Sequence, residues 1–498
     1  MQHPKKTIDA RLRAAADLAL EAIETLRSPF VADVGCDHGY LTAYLLRQRD
    51  DLRMVASDIS KASLAKARLL LDPGLYGRRV RFEEADGLDA LHEGENPDCI
   101  VMAGMGGRLI LEVLTKGREK IGSAKLVLQA NVDIPLLRQE LARMGIAVIK
   151  ERYAEANGRQ YAVLLAQAVS DRPISLADKE TAIGSRGDEP LSAERKDYLR
   201  TQRKMNLRKM CLAARKGTAG GLEKMRKYQQ EADWVAEETE MKECSVQALT
   251  EMVGQIAPYE LAEEWDNVGL LVGDAKKHIK KVLVALDLTL PVLEEAKALG
   301  CEAIVTHHPL MLQPVQRIVS KDREGALILK LAQYGMAHIA AHTNLDKAPG
   351  GVNDALLQTI GCKEIRGEGA VRVGMLPGEM SFERLTQMAG EALHTRTRAY
   401  GDKTKQVHVL GCCSGAGSGE FREAMAFGAD CFITGEVKHH IALDAMFADC
   451  PMIEAGHYET EVPVCSVLQG ALQKLADTLE YNLTVFCSNI NPFERGEG

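Results

Sequence analysis

Short apolar runs alternate with helical patterns in two separate stretches of the chain, and this alternation constrains the fold more than any other feature. In the first stretch, each run is followed by a helical or turn signal. The runs are FVADVG (30–35), RMVASDI (53–59), DCIVMAG (98–104) and KLVLQAN (125–131). This rhythm predicts a parallel sheet with helices on both faces, and therefore an α/β fold.

A second stretch with the same alternation begins near residue 244. A chain of 498 residues is also too long for one ordinary hydrophobic core, so two α/β modules are predicted, at 1–165 and 244–498. The strand-like runs of the second module are KVLVALDLT (281–289), CEAIVTHHP (301–309), AHIAAHTNLD (337–346), QVHVLGC (406–412), DCFITGE (430–436) and PMIEAGHY (451–458).

The segment 166–243 between the modules has a different pattern. Its first part, 166–190, is polar and is expected to be a connector that includes Gly184, Gly187 and Pro190. Two helical runs follow, and the glycine-rich break GTAGG predicts that they form an antiparallel, coiled-coil-like hairpin. The runs and the break lie at 191–215, 221–243 and 217–221.

The hairpin is strongly basic although the whole chain has a net charge of −8. Its stretch 195–227 contains twelve lysines and arginines and only two acids. Such a surface suits contacts with nucleic-acid phosphates. The alternative is a solvated helix pair that only packs on the catalytic core.

Composition restricts the cellular setting. No stretch approaches the roughly 18 uninterrupted apolar residues of a membrane helix, and the first apolar stretch (8–26) is an interrupted, amphipathic pattern and not a signal peptide. The twelve cysteines form no CxxC pair and are expected to be reduced and mostly buried. We therefore expect a cytoplasmic protein with no membrane partner.

A strand, a glycine turn and a helix follow one another in VADVGCDHGYL (31–41), which allows a ligand to approach the backbone. Asp58 ends the next strand, where an acid can accept hydrogen bonds from ribose hydroxyls. Asp86 stands where an adenine contact is expected. The turn lacks GxGxxG and has Asp33 before it, which favours S-adenosylmethionine over a dinucleotide. The candidate cofactor-binding residues are Asp33, Gly35, Asp37, Gly39, Asp58, Ile59, Asp86 and Gly87.

The run AGMGG (103–107) is expected to be a flexible loop at the carboxyl edge of the sheet, beside Gln129 and Asn131. Together with RLRAAADLA, VADVGCDHGYL, ASDI, EADGL and LVLQAN, this run makes the segment 8–165 resemble the bacterial tRNA (adenine-22-N1)-methyltransferase family. That family also carries a C-terminal helical hairpin. The resemblance implies a Rossmann-like class I methyltransferase, with tRNA as partner and N1 of adenine 22 as the methylated atom.

Adenine N1 has a lone pair and needs no general base, so positioning residues are expected to matter most. His38 is one candidate, although it is equally well explained as a polar residue at a helix start. The full set of base-pocket candidates is His38, Gly104, Met105, Gly106, Gly107, Gln129 and Asn131.

Four clusters of metal-ligand residues follow predicted strands of the second module. Neutral imidazoles and carboxylates that converge on one edge suit a metal site, and so many donors suggest two bridged ions. In the last cluster, His457 and Glu461 are four residues apart and share a face if the chain is helical. The clusters are THHP (306–309), HTNLD (342–346), TGEVKHH (434–440) and GHYETE (456–461).

The segment 244–498 resembles the NGG-one-interacting-factor-three-like family of dinuclear-metal proteins, related to type-2 GTP cyclohydrolase I. The matching runs include AEEWDNVGLLVG, IVTHHPL, AHTNLD, GGVND, FITGE and GHYETE. The resemblance implies an α/β domain that assembles into a hexameric toroid, with His342 and Glu436 near the ions. The implied metal ligands are His307, His308, Asp346, His457 and Glu461.

The reaction of the metal module stays open. A metal-activated water can hydrolyse a ring or a phosphoester, and a scaffold that only oligomerises the chain is an equal alternative. Zinc, iron, manganese and magnesium are not distinguished. Two functions therefore remain: a tRNA methyltransferase fused to a metal module, or a metal-dependent hydrolase whose first half binds nucleotide or RNA.

Overall fold

The computed structural model describes residues 8–71, 76–184, 191–214 and 218–493. The chain separates into two compact units, Met1–Glu240 and Met241–Gly498. Parts of the predicted connector and hairpin break, namely Gly187, Pro190, Arg215, Lys216 and Gly217, lie outside the described residues. No helix in the described part is long and apolar enough to cross a membrane.

The first unit is built on one seven-stranded sheet. Its strand order is β3-β2-β1-β4-β5-β7-β6, and only β7 runs antiparallel to its neighbours. The strands are β1 (Phe30–Val34), β2 (Arg53–Asp58), β3 (Val80–Glu84), β4 (Cys99–Met105), β5 (Lys125–Ala130), β6 (Ile146–Ala156) and β7 (Arg159–Ala168).

Helices cover both faces of this sheet, and buried aliphatic side chains fill the space between them. The predicted Rossmann-like fold is confirmed. The helices are α1 (Ala10–Ala22), α2 (Tyr40–Gln48), α3 (Lys61–Leu70), α4 (Gly107–Lys116), α5 (Arg118–Ile121), α6 (Ile134–Arg143), α7 (Asp178–Ile183), α8 (Ala193–Ala214) and α9 (Ala219–Glu238), with 3₁₀ turns at Gly77–Arg79 and Gly87–Ala90.

Helices α8 and α9 form the hairpin, with boundaries that differ from the prediction. The Thr218 hydroxyl accepts a hydrogen bond from the Gly221 amide at 3.1 Å, so α9 begins within the predicted break. It ends at Glu238, before the left-handed residue Glu240. The predicted connector contains the short helix α7, at whose start Glu180 accepts a hydrogen bond from the Ala177 amide at 3.1 Å.

The second unit has two main sheets. The five-stranded sheet has the order β20-β11-β12-β13-β9, the six-stranded sheet has the order β14-β15-β17-β18-β19-β16, and β8 pairs with β10. The strands are β8 (Cys244–Ser245), β9 (Gly269–Val272), β10 (His278–Ile279), β11 (Lys281–Ala285), β12 (Ala303–Thr306), β13 (Ala337–Ala340), β14 (Lys363–Arg366), β15 (Arg372–Ser381), β16 (Arg398–Tyr400), β17 (Gln406–Cys412), β18 (Cys431–Thr434), β19 (Met452–Glu454) and β20 (Thr484–Cys487).

Apolar side chains of the helices pack against both sheets of this unit. The predicted α/β class is confirmed here as well. The helices are α10 (Val246–Ile256), α11 (Leu290–Leu299), α12 (Arg323–Tyr334), α13 (Thr343–Lys347), α14 (Val352–Ile360), α15 (Phe382–Leu393), α16 (Phe421–Ala426), α17 (His439–Phe447), α18 (His457–Glu461) and α19 (Pro463–Thr478), with 3₁₀ turns at Tyr259–Leu261 and Ser418–Glu420.

Candidate cofactor cavity and candidate metal centre

A cavity of about 460 Å³ lies at the carboxyl ends of β1, β2 and β4. The strand order of the sheet reverses between β1 and β4, and parallel sheets bind ligands at such a reversal. The cavity is lined by Arg11, Leu12, Asp33, Val34, Gly35, Cys36, Asp37, His38, Tyr40, Leu41, Asp58, Ile59, Ala85, Asp86, Gly87, Ala103, Gly104, Met105, Leu109 and Val113.

The glycine turn after β1 is fixed against β2. The amides of Gly35 and Cys36 donate to the Ser57 carbonyl, and the Asp37 amide donates to Oδ2 of Asp58 at 3.0 Å. The other oxygen of Asp58 accepts from the Ser60 amide at 2.8 Å. These bonds orient the Asp58 carboxylate at the cavity wall. Its remaining lone pairs can accept hydrogen bonds from hydroxyl groups of a ligand.

Three further polar residues of the cavity are held by neighbours. Asp33 is buried and accepts a hydrogen bond from the Thr42 hydroxyl. Burial raises the pKa of its carboxyl to about 6. Nδ1 of His38 lies 2.7 Å from Asp37, and Asp86 pairs with Lys116 at 2.8 Å. The cavity is therefore rich in acids with defined orientations.

The run 103–107 is not the flexible loop predicted from its glycines. Strand β4 continues through Met105 with a bulge between Ala103 and Met105, and α4 begins at Gly107. Gly104 in the bulge has a φ of 86°, a value that favours glycine. Its amide donates to Oε1 of Gln129 at 2.9 Å, and its carbonyl accepts from Asn131 at 2.8 Å.

Ten of the predicted residues line the cavity, and five do not. Gln129 is buried behind the bulge, Asn131 is exposed beside it, and both hold peptide groups of Gly104. Gly39, at the start of α2, approaches Ala67 of α3. Gly106 and Gly107 lie at the start of α4. Sequence reasoning missed Arg11, whose signal is a basic residue within the largely apolar RLRAAADLA.

The five predicted metal ligands converge between the two sheets of the second unit. His307 and His308 follow β12, Asp346 lies in α13 after β13, and α18 carries both His457 and Glu461. Nε2 of His307 lies 3.7 Å from Oδ1 of Asp346. Oε2 of Glu461 lies 3.0 Å from Nε2 of His308 and 3.2 Å from Nε2 of His457.

Each imidazole is oriented through Nδ1. His307 Nδ1 contacts the Ala341 carbonyl at 3.0 Å, His308 Nδ1 contacts Asp287 at 2.9 Å, and His457 Nδ1 contacts Glu436 at 2.8 Å. With Nδ1 as the donor, each Nε2 is left for the centre of the cluster, which is how metal-ligating histidines are usually held. Asp287 was not predicted, although it is the one acidic residue of the strand-like run 281–289.

His342 joins the cluster as a further donor. Its Nδ1 contacts Asp266 at 2.8 Å, and its ligand atom lies within 4.8 Å of those of His307 and His308. His439 and His440 of the TGEVKHH run are exposed at the start of α17 and belong to neither group of possible ligands found in the described residues. Their position after a strand was therefore not sufficient to make them ligands.

Buried atoms without hydrogen-bond partners show that the cluster suits a cation. They are Nε2 of His307 and Oδ1 of Asp346, and beside them Oε2 of Glu461 faces the Nε2 atoms of His308 and His457. A Cβ on Gly415 would meet Glu461, so the glycine lets this carboxylate lie close to the backbone. Buried polar atoms without partners are costly, and a divalent ion would satisfy all three.

The pKa values agree with this chemistry. Burial lowers the pKa of His307 to about 3, so its imidazole is neutral and keeps a lone pair. Burial and the charge of Glu461 raise the pKa of Asp346 well above its ordinary value. Burial opposes the charged form of His308, but Asp287 and Glu461 outweigh burial and raise its pKa to about 10. Without an ion, protons on such groups compensate the buried carboxylates.

A sequence model of the family described as Duf34/NIF3 (NGG1p interacting factor 3) matches residues 244–492. The chain belongs to this family. A second model, described as tRNA (adenine(22)-N(1))-methyltransferase, matches residues 31–240. The Duf34/NIF3 chain is thus a fusion with a methyltransferase domain, and both resemblances predicted from its motifs are confirmed.

Curated relatives match the Duf34/NIF3 domain. A "GTP cyclohydrolase 1 type 2 homolog" from Clostridium acetobutylicum is 32% identical over 264 residues, which is 50% of this chain and 98% of the relative. A homolog of the same description from Lactococcus lactis is 35% identical, over 41% of this chain and 82% of the relative.

Solved structures match each half of the chain. A Staphylococcus aureus protein is 28% identical with a TM-score of 0.49, and covers 51% of this chain and 99% of its own. A Streptococcus pneumoniae protein, proposed in its description to be a tRNA (m1A22) methyltransferase, is 23% identical with a TM-score of 0.40. That match covers 47% of this chain and all of the other.

Proposed function

We propose that the first unit transfers a methyl group from S-adenosylmethionine to N1 of adenine 22 in tRNA. The observation that carries the proposal is the acid-lined cavity at the strand reversal, with Asp58 oriented by two backbone amides. The Asp58 carboxylate suits ribose hydroxyls, and Asp86 at the far side suits the adenine. The bound cofactor would supply the electrophilic methyl group.

Residues of the chain would act on the base by positioning it. N1 is already a nucleophile, so the reaction needs alignment more than proton removal. The bulge at Gly104 forms the cavity edge, and Gln129 and Asn131 fix its peptide groups from behind. His38 is held on one side by Asp37 and on the other by Lys66, whose Nζ lies 3.1 Å from Nε2. The nearby carboxylates would also stabilise the cationic product.

Labelled S-adenosylmethionine and two unmodified tRNA transcripts test this reaction. The transcripts differ only at position 22, which is adenine in one and guanine in the other. The proposal predicts that only the adenine transcript is labelled. Equal labelling of both transcripts, or of neither, would contradict it.

We also propose that the hairpin contacts the tRNA backbone. Tyr198 and Val235 pack in the core of the first unit, while Arg208, Lys224 and Lys227 are exposed. One face of the hairpin therefore packs against the core of the first unit, and another face exposes basic side chains. Neutralising these three residues should reduce the salt dependence of tRNA binding by about one unit of slope per lost phosphate contact.

A matched control for this experiment comes from the second unit. Lys276, Lys280 and Lys363 are also exposed, and changing them to glutamine alters the net charge equally. The control should leave the salt slope unchanged. If both triple variants behave alike, the hairpin is a solvated helix pair and not a binding surface.

For the second unit we propose two divalent ions held by His307, His308, Asp346, His457 and Glu461. The buried atoms of His307 and Asp346 that lack hydrogen-bond partners support this set, as does the Glu461 oxygen that faces two imidazoles. A bound ion would lower the pKa of a coordinated water, which suits hydrolysis of a ring or a phosphoester. A metal-dependent scaffold remains the second candidate for this unit.

Metal analysis of the purified protein tests the ligand set. About two ions per chain are expected, and Asp346→Ala should lower that number. His440→Ala is the control, because His440 is exposed and lies outside the cluster. Unchanged metal content in Asp346→Ala would refute the set.

We further propose that the second unit assembles the chain into a hexameric ring. Helix α17 supports self-association because Leu443, Met446 and Phe447 expose 55%, 54% and 93% of their surface. Light scattering of the wild-type protein and of Phe447→Glu tests this. A wild-type monomer would contradict the proposal.

A further inference from the structure

Arg11 occupies a fixed position at the edge of the cofactor cavity. It lies in the first turn of α1, and only 21% of its side chain is exposed. One guanidinium nitrogen donates to Oδ1 of Asn131 at 3.0 Å, and the other terminal nitrogen donates to Asp9 at 3.3 Å. The guanidinium carbon lies 5.4 Å from the centre of the Tyr161 ring. The side chain is therefore held from three directions.

Arg11 carries a positive charge in a cavity whose other charged side chains are acidic. Four carboxylates line the cavity, from Asp33, Asp37, Asp58 and Asp86. Among the lining residues that the structure describes, Arg11 is the only lysine or arginine. A guanidinium has five N–H donors, so its bonds to Asn131 and Asp9 leave donors for a ligand. An anionic group of a ligand is stabilised beside Arg11 and repelled elsewhere along the wall.

We propose that Arg11 binds the carboxylate of the methionine moiety of the cofactor. This assignment rests on the proposed function, in which the cavity takes S-adenosylmethionine. An amino-acid carboxylate is planar and matches a guanidinium through paired hydrogen bonds. The ammonium and sulfonium groups of the same ligand suit the surrounding acids.

The bond to Asn131 gives Arg11 a second role, as a positioning residue for the cavity edge. Asn131 also donates to the Gly104 carbonyl at 2.8 Å. A carboxylate bound at Arg11 is therefore connected through Asn131 to the bulge that faces the target base. Loss of Arg11 would disturb both the hold on the cofactor and the placement of the bulge.

Two ligands that differ only in the carboxylate test the assignment: S-adenosylmethionine and decarboxylated S-adenosylmethionine. Their affinities are measured by calorimetry on the full-length wild-type protein, on Arg11→Gln and on Arg11→Lys. Arg13→Gln is the control, because Arg13 lies on the same helix but contacts the Tyr44 ring and does not line the cavity.

The wild-type protein and Arg13→Gln are expected to bind S-adenosylmethionine at least about 10-fold more tightly than the decarboxylated ligand. In Arg11→Gln this preference should disappear, and Arg11→Lys should retain part of it. Melting curves establish that each variant is folded.

An unchanged preference in Arg11→Gln would overturn the assignment, whether or not both affinities fall. If a parallel titration shows that this variant loses only tRNA affinity, an RNA phosphate lies at Arg11 and the assignment is also overturned. If the wild-type protein binds neither ligand, the proposed function fails, and this assignment fails with it.

Discussion

Nε2 of His308 lies 3.0 Å from Oε2 of Glu461, and the same oxygen lies 3.2 Å from Nε2 of His457. One carboxylate oxygen thus joins two imidazoles that come from different sheets of the second unit. An atom placed between two donor groups in this way suits a ligand shared by two ions. Glu461 is therefore central to the proposed metal centre.

Replacing Glu461 by alanine should lower the affinity for divalent ions by more than about 10-fold, because the loss of a residue that only orients a ligand already costs about 10- to 100-fold and Glu461 is a proposed direct ligand. Glu459→Ala removes a carboxylate from the same short helix α18 outside the ligand cluster and serves as the control. Equilibrium dialysis followed by metal analysis gives the measurement. Equal affinities for the two variants would remove Glu461 from the ligand set.

Asp33→Asn should make the cofactor-free protein more stable at neutral pH. Burial raises the pKa of Asp33 to about 6 from 3.8, so the folded state favours the protonated form. The stability of the wild-type protein relative to the variant should fall as pH rises from about 4 to about 6, by about 3 kcal/mol. Urea unfolding between about pH 4 and pH 8 checks this, and a pH-independent difference would show that the Asp33 charge is not responsible.

Gly35→Ala should weaken cofactor binding more than Gly94→Ala. Both glycines have a positive φ, 75° and 81°, so both substitutions cost about 1 kcal/mol in the backbone. At Gly35 the new Cβ would displace the terminal methyl group of Met105, and both residues line the cavity, whereas nothing lies near Gly94. Calorimetry with S-adenosylhomocysteine measures the effect, and a similar affinity in both variants would show that the turn tolerates a side chain.

Gln129→Ala should lower both stability and methyl transfer. Gln129 is fully buried, and its loss leaves the Gly104 amide without its side-chain acceptor, which costs about 1–3 kcal/mol. The bulge would then be less well defined, so the rate constant for transfer should fall together with the stability. A variant with normal stability and normal turnover would show that Gln129 does not support the bulge.

The sequence was most informative where chemistry lies at strand ends. Asp58, His307 and His308 each follow an apolar run, and parallel strands bring such positions to one edge of a sheet. The pattern was less informative for β6, whose polar residues and antiparallel pairing depart from the buried-strand signature. Several edge strands of the second unit were missed for the same reason.

The support around each site depends on tertiary contacts and could not be derived from local patterns. The role of Gln129 follows from the bulge in a neighbouring strand. Asp287 and Asp266 orient His308 and His342 from distant parts of the chain. Arg11 reaches the cavity from a helix that precedes the sheet. In each case the residue type was visible in the sequence, but its partner was not.

Methyl transfer to the adenine-22 transcript by three forms of the full-length protein tests the central claim most directly. The forms are the wild type, Asp58→Ala in the cofactor cavity and Asp346→Ala in the metal centre. If the first unit carries the transferase chemistry, the wild type and Asp346→Ala label the transcript at equal rates, and Asp58→Ala gives no label. Loss of labelling in Asp346→Ala, or full labelling in Asp58→Ala, would contradict the assignment of methylation to the first unit.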